Sequence, residues 1–277
     1  MEYFECIAND GHVVHGLISG DLLTCDVVVL HSHGFGGDFI KNRFVRHMHG
    51  RFPESGVAFA SINHRLSGYV VEEYSEAGAA YHGASISNPE LALLDLDAAV
   101  SFLGQRCNKL VVQGHSFGTN ILREYLVRSS ATNDAIFLGP SDSSWLYKEW
   151  RRGRDPRVAR DCGSEAVLFD LFGISVGGAE YSIPICRRSL NELINGRVFS
   201  AWSRVGQAIG NRALIVQGGG DQISIGGLTE SVANFRKWLP RSEVVRIPEA
   251  GHVFGGVESE LAEVIIKWIQ VGVLGDH

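Results

Sequence analysis

No run of the chain reaches the roughly 18 consecutive apolar residues that a membrane-crossing helix needs. The opening residues, Met1-Glu2-Tyr3-Phe4-Glu5, supply neither the basic nor the apolar segment of a secretory leader. There is no C-x-x-C pair, and the five cysteines, Cys6, Cys25, Cys107, Cys162 and Cys186, are odd in number and scattered, which argues against a disulfide framework and for reduced thiols. Positive charge is not in excess either: 25 Lys and Arg stand against 31 Asp and Glu, a net charge of −6 that leaves no electrostatic footprint for a polyanion. The expectation is a cytoplasmic protein with neither membrane nor nucleic acid as partner; oligomeric state is left open.

What the chain does have is bulk. At 277 residues and 45% apolar content it can bury one large core, the natural size of a single α/β domain carrying an insertion. The organising stretch is Lys109 to Thr119: a short apolar run, then Gly114-His115-Ser116-Phe117-Gly118, then a helical pattern through Ile121 and Leu122 to Tyr125 and Leu126. This reads as strand, sharp turn and helix, with Ser116 at the apex. An apex residue is held in a strained conformation and its neighbours two positions away must approach closely, so glycines belong at 114 and 118. The turn exposes the Ser116 hydroxyl and aims the Phe117 N–H and the helix start at the place where an anionic intermediate would form.

The N-terminal runs Glu2–Ala8 and His12–Ser19, joined across Asp10-Gly11, suit an antiparallel pair. Asp26–Leu30 is a continuous apolar run of the kind buried on both faces of a parallel sheet. At its end lies His31-Ser32-His33-Gly34-Phe35-Gly36-Gly37-Asp38, followed by a helical segment from about Phe39 to Phe52. The Phe35 N–H can join that of Phe117 in an oxyanion hole. A phosphate loop would want Lys with Ser or Thr where Asp38 stands, and histidines two apart on a strand end, His31 and His33, point to opposite faces and chelate poorly. Neither a phosphate loop nor a metal pair is therefore expected here. His47 and His49 are read as solvated groups of a helix surface.

Val57–Ile62 is the next strand, and the long polar connection from Asn63 to Ser87 is read as a functional or disordered loop. Asn88, Pro89 and Glu90 then mark a helix start whose buried stripe is Leu91, Leu94, Ala98 and Phe102, with Asp95 and Asp97 on the solvated face. Strands follow at Asp134–Gly139, Ala213–Gln217 and Glu243–Ile247. The roughly seventy residues between the first two of these exceed the dozen or so that one crossover needs, so 141–212 is read as an inserted lid on a core of 1–140 and 213–277. The lid segment carries +3 while the rest carries −9. Arg151, Arg152, Arg154, Arg157 and Arg160 there either greet an anionic substrate or form a solvated face with Glu149, Asp155 and Asp161. Apolar-periodic pieces such as Trp145–Trp150 and Glu165–Phe172 read as lid core.

The last third supplies partners for Ser116. Gly218-Gly219-Gly220-Asp221 follows one strand and Pro248-Glu249-Ala250-Gly251-His252 the next, so an acid and then a base each sit just past a strand's carboxyl end. Asp142, after Gly139-Pro140-Ser141, is an alternative acid. Gly34, His115 and Trp145 are candidates to line the substrate pocket. A closing helix presents Leu261, Val264, Ile265 and Trp268 on one stripe.

Taken in order, His33-Gly34-Phe35, Gly114-His115-Ser116-Phe117-Gly118, Asp221 and His252 resemble the α/β-hydrolases over nearly the whole chain. The resemblance implies an eight-stranded, mostly parallel sheet whose first strands are antiparallel, helices on both faces, a helical lid inserted after the sixth strand, and no cofactor. Serine at the elbow points away from the members that place Asp there, the dehalogenases and epoxide hydrolases. A fainter similarity, through the loop after Ile62 and the Gly139–Asp142 segment, is to hydrolases that cut siderophore esters. The expected activity is hydrolysis of a carboxylic ester of a small or medium acyl substrate through an acyl-serine. The alternatives are a thioesterase or acyltransferase on a CoA- or carrier-borne acyl group, and a receptor that keeps the fold without the turnover.

Overall fold

The structure is a computed structural model and describes residues 1–75, 78–129, 134–141, 166–176, 179–186, 189, 202–208, 212–221 and 228–272. Its centre is an eight-stranded sheet. In chain order the strands are β1 (Glu2–Ile7), β2 (Val13–Ser19), β3 (Val27–Ser32) and β4 (Val57–Asn63). After a hairpin of β5 (Val71–Ser75) and β6 (Gly78–His82) come β7 (Lys109–His115) and β8 (Asp134–Leu138). A second hairpin, β9 (Ala166–Val176) and β10 (Ala179–Cys186), precedes β11 (Ala213–Gly218) and β12 (Ser242–Ile247). The sheet order is β1-β2-β4-β3-β7-β8-β11-β12. The β1–β2 and β2–β4 pairs are antiparallel and every later pair is parallel.

The unbroken apolar runs are explained by burial on both sides. Along β3, Val28 and Leu30 join one core while Val27 and Val29 join the other, all with no exposed surface. Helices α1 (Arg43–Arg51) and α6 (Glu258–Gly272) cover one face through Phe44, Met48, Leu261 and Ile265. The other face is covered by α2 (Ala92–Gly104), α3 (Phe117–Ser129), α4 (Trp202–Ala208) and α5 (Leu228–Trp238), which contribute Leu96, Ile121, Trp202 and Phe235. Asn88 caps as its sequence suggests: its side chain accepts from the Glu90 N–H at 2.8 Å.

Several expectations need correcting. The buried stripe of α2 is Leu93, Leu96, Ala99 and Leu103, whereas Leu91 is 37% exposed and Leu94, Ala98 and Phe102 are only partly buried. Asp95 is fully buried rather than solvated, because Arg65 from the loop after β4 reaches it: the Arg65 main-chain N–H donates to its carboxylate at 2.7 Å and a guanidinium nitrogen lies 2.6 Å away. The same guanidinium grips Asp10, in the β1–β2 turn, at 2.7 Å. His49 is likewise buried, not on a solvated surface, since its ring bridges Ser19 and Ser61 at 2.8 Å on each side. The segment that follows the sixth strand of the sheet, expected to be a helical lid, is not wholly helical among its described residues. The Glu165–Phe172 piece runs into β9, paired antiparallel with β10. Val167, Ile174 and Val176 are β-branched and Gly173 is a poor helix former, so propensity there favours extended chain. The 63–87 connection is not structureless either, since it contains the β5–β6 hairpin.

Candidate active site

The elbow is set by close backbone approach. Ser116 has φ +53°, the left-handed region, and its N–H donates to the Leu138 carbonyl at 3.0 Å. A Cβ on Gly114 would lie 2.5 Å from the Gly118 oxygen, and one on Gly118 would lie 2.3 Å from that of Ser32. Both contacts are with backbone that cannot yield, so only glycine fits at either position.

Carboxyl ends of parallel strands bring the other side chains to Ser116. His252, past β12, places Nε2 2.8 Å from Ser116 Oγ and Nδ1 3.0 Å from both carboxylate oxygens of Asp221, past β11. Because a carboxylate only accepts, Nδ1 carries the proton and Nε2 is left to accept from the Ser116 hydroxyl. Asp221 is buried, which leaves its charge little compensation from water. The Gln217 amide donates to Oδ2 at 2.9 Å. The structure thus brings Ser116, His252 and Asp221 together. Asp142, Trp145 and the arginines at 151–160 lie outside the described residues.

Space for the Asp221 and His252 side chains comes from Gly139, at φ +49°, where a Cβ would sit 3.2 Å from Asp221 Oδ2 and 3.3 Å from His252 Nδ1. His115, expected at the pocket, is buried 3% exposed, and its Nε2–H donates to the main-chain carbonyl of His252 at 2.9 Å. Burial pushes its pKa down to about 3, with His252 adding to the effect, so it stays neutral while it pins the loop that carries His252.

The loop after β3 passes beside the elbow. A Cβ on Gly34 would be 3.0 Å from that of Ser116, and the Phe35 ring meets the Phe117 ring edge-on with centroids 5.5 Å apart. Gly34's carbonyl accepts from the Gly37 N–H at 3.0 Å and from His33 Nδ1 at 2.7 Å. Beneath it the His33 and His64 rings stack, centroids 3.7 Å apart. His64 Nε2–H donates to the His33 carbonyl at 3.1 Å while its Nδ1 accepts from the Leu66 N–H. His31 faces elsewhere, its Nδ1 accepting from the Gln113 amide at 2.8 Å.

Gln217, Gly139 and His64 were not picked out by sequence reasoning. A signal existed for Gln217: it is the polar residue in an otherwise apolar run, Ala213–Gly218, that is buried throughout. Away from this centre, Glu73 of β5 is met by His15 at 3.1 Å, His82 at 3.5 Å and His12 at 3.7 Å, which clasps the β5–β6 hairpin to the β1–β2 hairpin. Among the described residues no group of three His, Cys, Asp or Glu side chains could hold a metal ion, and no helix is long and apolar enough to cross a membrane.

No protein-family model matches the chain, and no curated protein sequence matches it. Solved structures do. Est1E from Butyrivibrio proteoclasticus with bound ferulic acid superposes with a TM-score of 0.70 at 16% identity, over 97% of this chain and 99% of that one. The Pyrococcus furiosus esterase Pf2001 gives 0.67 at 14% identity, over 97% and 90%. The α/β hydrolase GrgF from Penicillium sp. sh18 gives 0.67 at 17% identity, over 97% and 98%. At such identities the likeness is one of fold. With a sheet of this order, a left-handed serine at the turn between β7 and α3, and neighbours of this shape along nearly its full length, the chain has the α/β-hydrolase fold.

Proposed function

We propose that the chain is a serine hydrolase that cleaves a carboxylic ester of a small or medium substrate through an acyl-serine intermediate. The observation that carries the reading is the continuous relay from Ser116 Oγ to His252 Nε2 at 2.8 Å and from His252 Nδ1 to the buried Asp221 carboxylate at 3.0 Å. In the first step Ser116 Oγ attacks the ester carbonyl carbon as its proton passes to His252 Nε2, and Asp221 stabilises the imidazolium that results. The carbonyl oxygen, now an oxyanion, accepts from the N–H groups of Phe35 and Phe117. The intermediate collapses by breaking the bond to the alkoxy leaving group, which takes the proton from His252 Nε2. Water then repeats the sequence: His252 removes its proton, hydroxide adds to the acyl carbon, and Ser116 Oγ leaves with the proton returned.

That structural neighbours include esterases, one with ferulic acid bound, supports an ester as the substrate class. The test is a panel of p-nitrophenyl esters of graded acyl length, methyl ferulate and acyl-CoAs of the same lengths. The reading expects turnover of oxygen esters with kcat/KM above that of the matching thioesters. Preference for the acyl-CoAs would move the protein to the thioesterases, and absence of turnover on all of them would make the fold a binding scaffold.

A further inference from the structure

We infer that His33 is a positioning residue that orients the Phe35 N–H for the developing oxyanion, acting through the Gly34 carbonyl and supported from below by His64. The inference rests on the serine-hydrolase reading above and adds to it the device that presets one of the two oxyanion donors.

The geometry starts with one peptide plane. No peptide bond among the described residues is cis, so the C=O of Gly34 and the N–H of Phe35 point in opposite directions across a rigid unit. Whatever fixes the carbonyl fixes the N–H. Two donors fix it: His33 Nδ1 at 2.7 Å and the Gly37 N–H at 3.0 Å. Gly34 has no Cβ to restrain its own rotation, and where one would stand, Ser116 Cβ is 3.0 Å away. A glycine beside the nucleophile is free to turn its following peptide over, which would present a carbonyl oxygen to the oxyanion in place of an N–H. The hydrogen bonds to Gly34 oppose that flip.

The tautomers leave His33 little choice. The carbonyl only accepts, so Nδ1 of His33 carries the hydrogen, and Nε2 is buried with no partner among the described residues. His64 carries its hydrogen on Nε2, toward the His33 carbonyl, because its Nδ1 accepts from the Leu66 main chain. Two rings 3.7 Å apart with no exposed surface cannot both be charged. Desolvation pushes both pKa values down, His64 to about 3, so the pair stays neutral near pH 7. His64 in turn holds the His33 carbonyl, and Gly68 N–H holds the Gly37 carbonyl at 3.0 Å, so the loop is anchored on both sides of the peptide in question.

Two substitutions separate the hydrogen bond from the stacking. His33→Phe keeps an aromatic ring over His64 and removes the donor. His33→Asn gives up the ring and keeps an N–H close to where Nδ1 lies. Removing an oxyanion donor outright costs about 10²–10³ in kcat, and loosening one costs less. His33→Phe is therefore expected to lower kcat by about 10-fold or more with KM changed less than about 2-fold, and to weaken binding of an aryl boronic acid, a mimic of the tetrahedral intermediate, by a similar factor. His33→Asn is expected to recover kcat to within about 3-fold of the parent. Rates are referred to the fraction of sites titrated by a fluorophosphonate. The opposite order, with the Phe variant active and the Asn variant impaired, would make the stack the important contact and overturn the inference. If the Phe variant does not fold, a 10-fold loss of kcat in folded His33→Asn overturns it alone. Ser116→Ala is run beside them: wild-type turnover there would defeat the serine reading itself, and the inference with it, whereas a dead Ser116→Ala with a fully active His33→Phe defeats the inference only.

Discussion

Replacing Asp221 with Asn removes one charge and leaves the side chain's shape, so its consequence depends on which way the new amide turns. The carboxylate has neighbours on two sides: His252 Nδ1 at 3.0 Å and, on Oδ2, the Gln217 amide at 2.9 Å. An amide offers one acceptor and one donor. Gln217 Nε2–H needs the acceptor, so the NH₂ of the substituted residue faces His252 Nδ1 and forces that atom to accept. The proton then moves to Nε2, which lies 2.8 Å from Ser116 Oγ, and a base already protonated there cannot take the serine's proton. The same swap in a serine protease, acting through the same wrong tautomer, costs about 10⁴ in kcat. Asp221→Asn should lower kcat here by about that factor, or about 5.5 kcal/mol of barrier at about 1.4 kcal/mol per tenfold. A further substitution tests the cause. Asp221→Asn combined with Gln217→Glu restores the charge on the other side of the pair and gives the amide's NH₂ an acceptor there, turning its oxygen back to His252. Recovery of at least tenfold in kcat/KM toward a p-nitrophenyl ester is expected. A single variant impaired less than about tenfold, or a double variant no better than the single, would refute the tautomer argument.

Stability should depend on pH through five buried histidines. Desolvation lowers the pKa of His49 to about 4 and of His64 and His115 to about 3, and holds those of His31 and His33 well below 6.5. The unfolded chain therefore binds more protons between those values and about 6.5, so the stabilisation is complete above about pH 6.5 and is lost as pH falls below it, at up to about 1.4 kcal/mol per pH unit for each histidine. Urea midpoints should drop steeply from pH 6 to pH 5, and His49→Gln should flatten the slope by about one proton. A midpoint unchanged from pH 7 to pH 5 would contradict the burial. The Arg65 ion pairs should be unequal: Asp95, whose side chain is 0% exposed, leaves a buried cation when replaced by Ala and should cost about 3–5 kcal/mol. Asp10, 35% exposed, should cost about 1 kcal/mol or less on Asp10→Ala. Equal losses in chemical denaturation would show that the guanidinium is not organised around Asp95.

The parts legible in the sequence were those where one residue type meets a demand that no other can. Gly114 and Gly118 have backbone within 2.5 Å of where a Cβ would stand, and Asp26–Leu30 is apolar throughout because β3 is buried on both faces. Asp95 and His49 were misread because helical periodicity registers polarity, not partners. A carboxylate belongs on a solvated face unless a cation from a distant loop reaches it, and Arg65 is 30 residues away in sequence. Gln217 and His64 escaped for the same reason: each acts through a hydrogen bond to another element, a pairing that no local pattern encodes. In the insertion, the apolar spacing of Glu165–Phe172 suited either period, and β-branched residues together with pairing to β10 gave extended chain.

The central claim is that Ser116 is an activated nucleophile, and intact-protein mass spectrometry after brief exposure to a fluorophosphonate tests it most directly. The account predicts one adduct per chain, mapped to the peptide containing Ser116 and absent from Ser116→Ala. No adduct on the folded protein, or one that persists in Ser116→Ala, would contradict it.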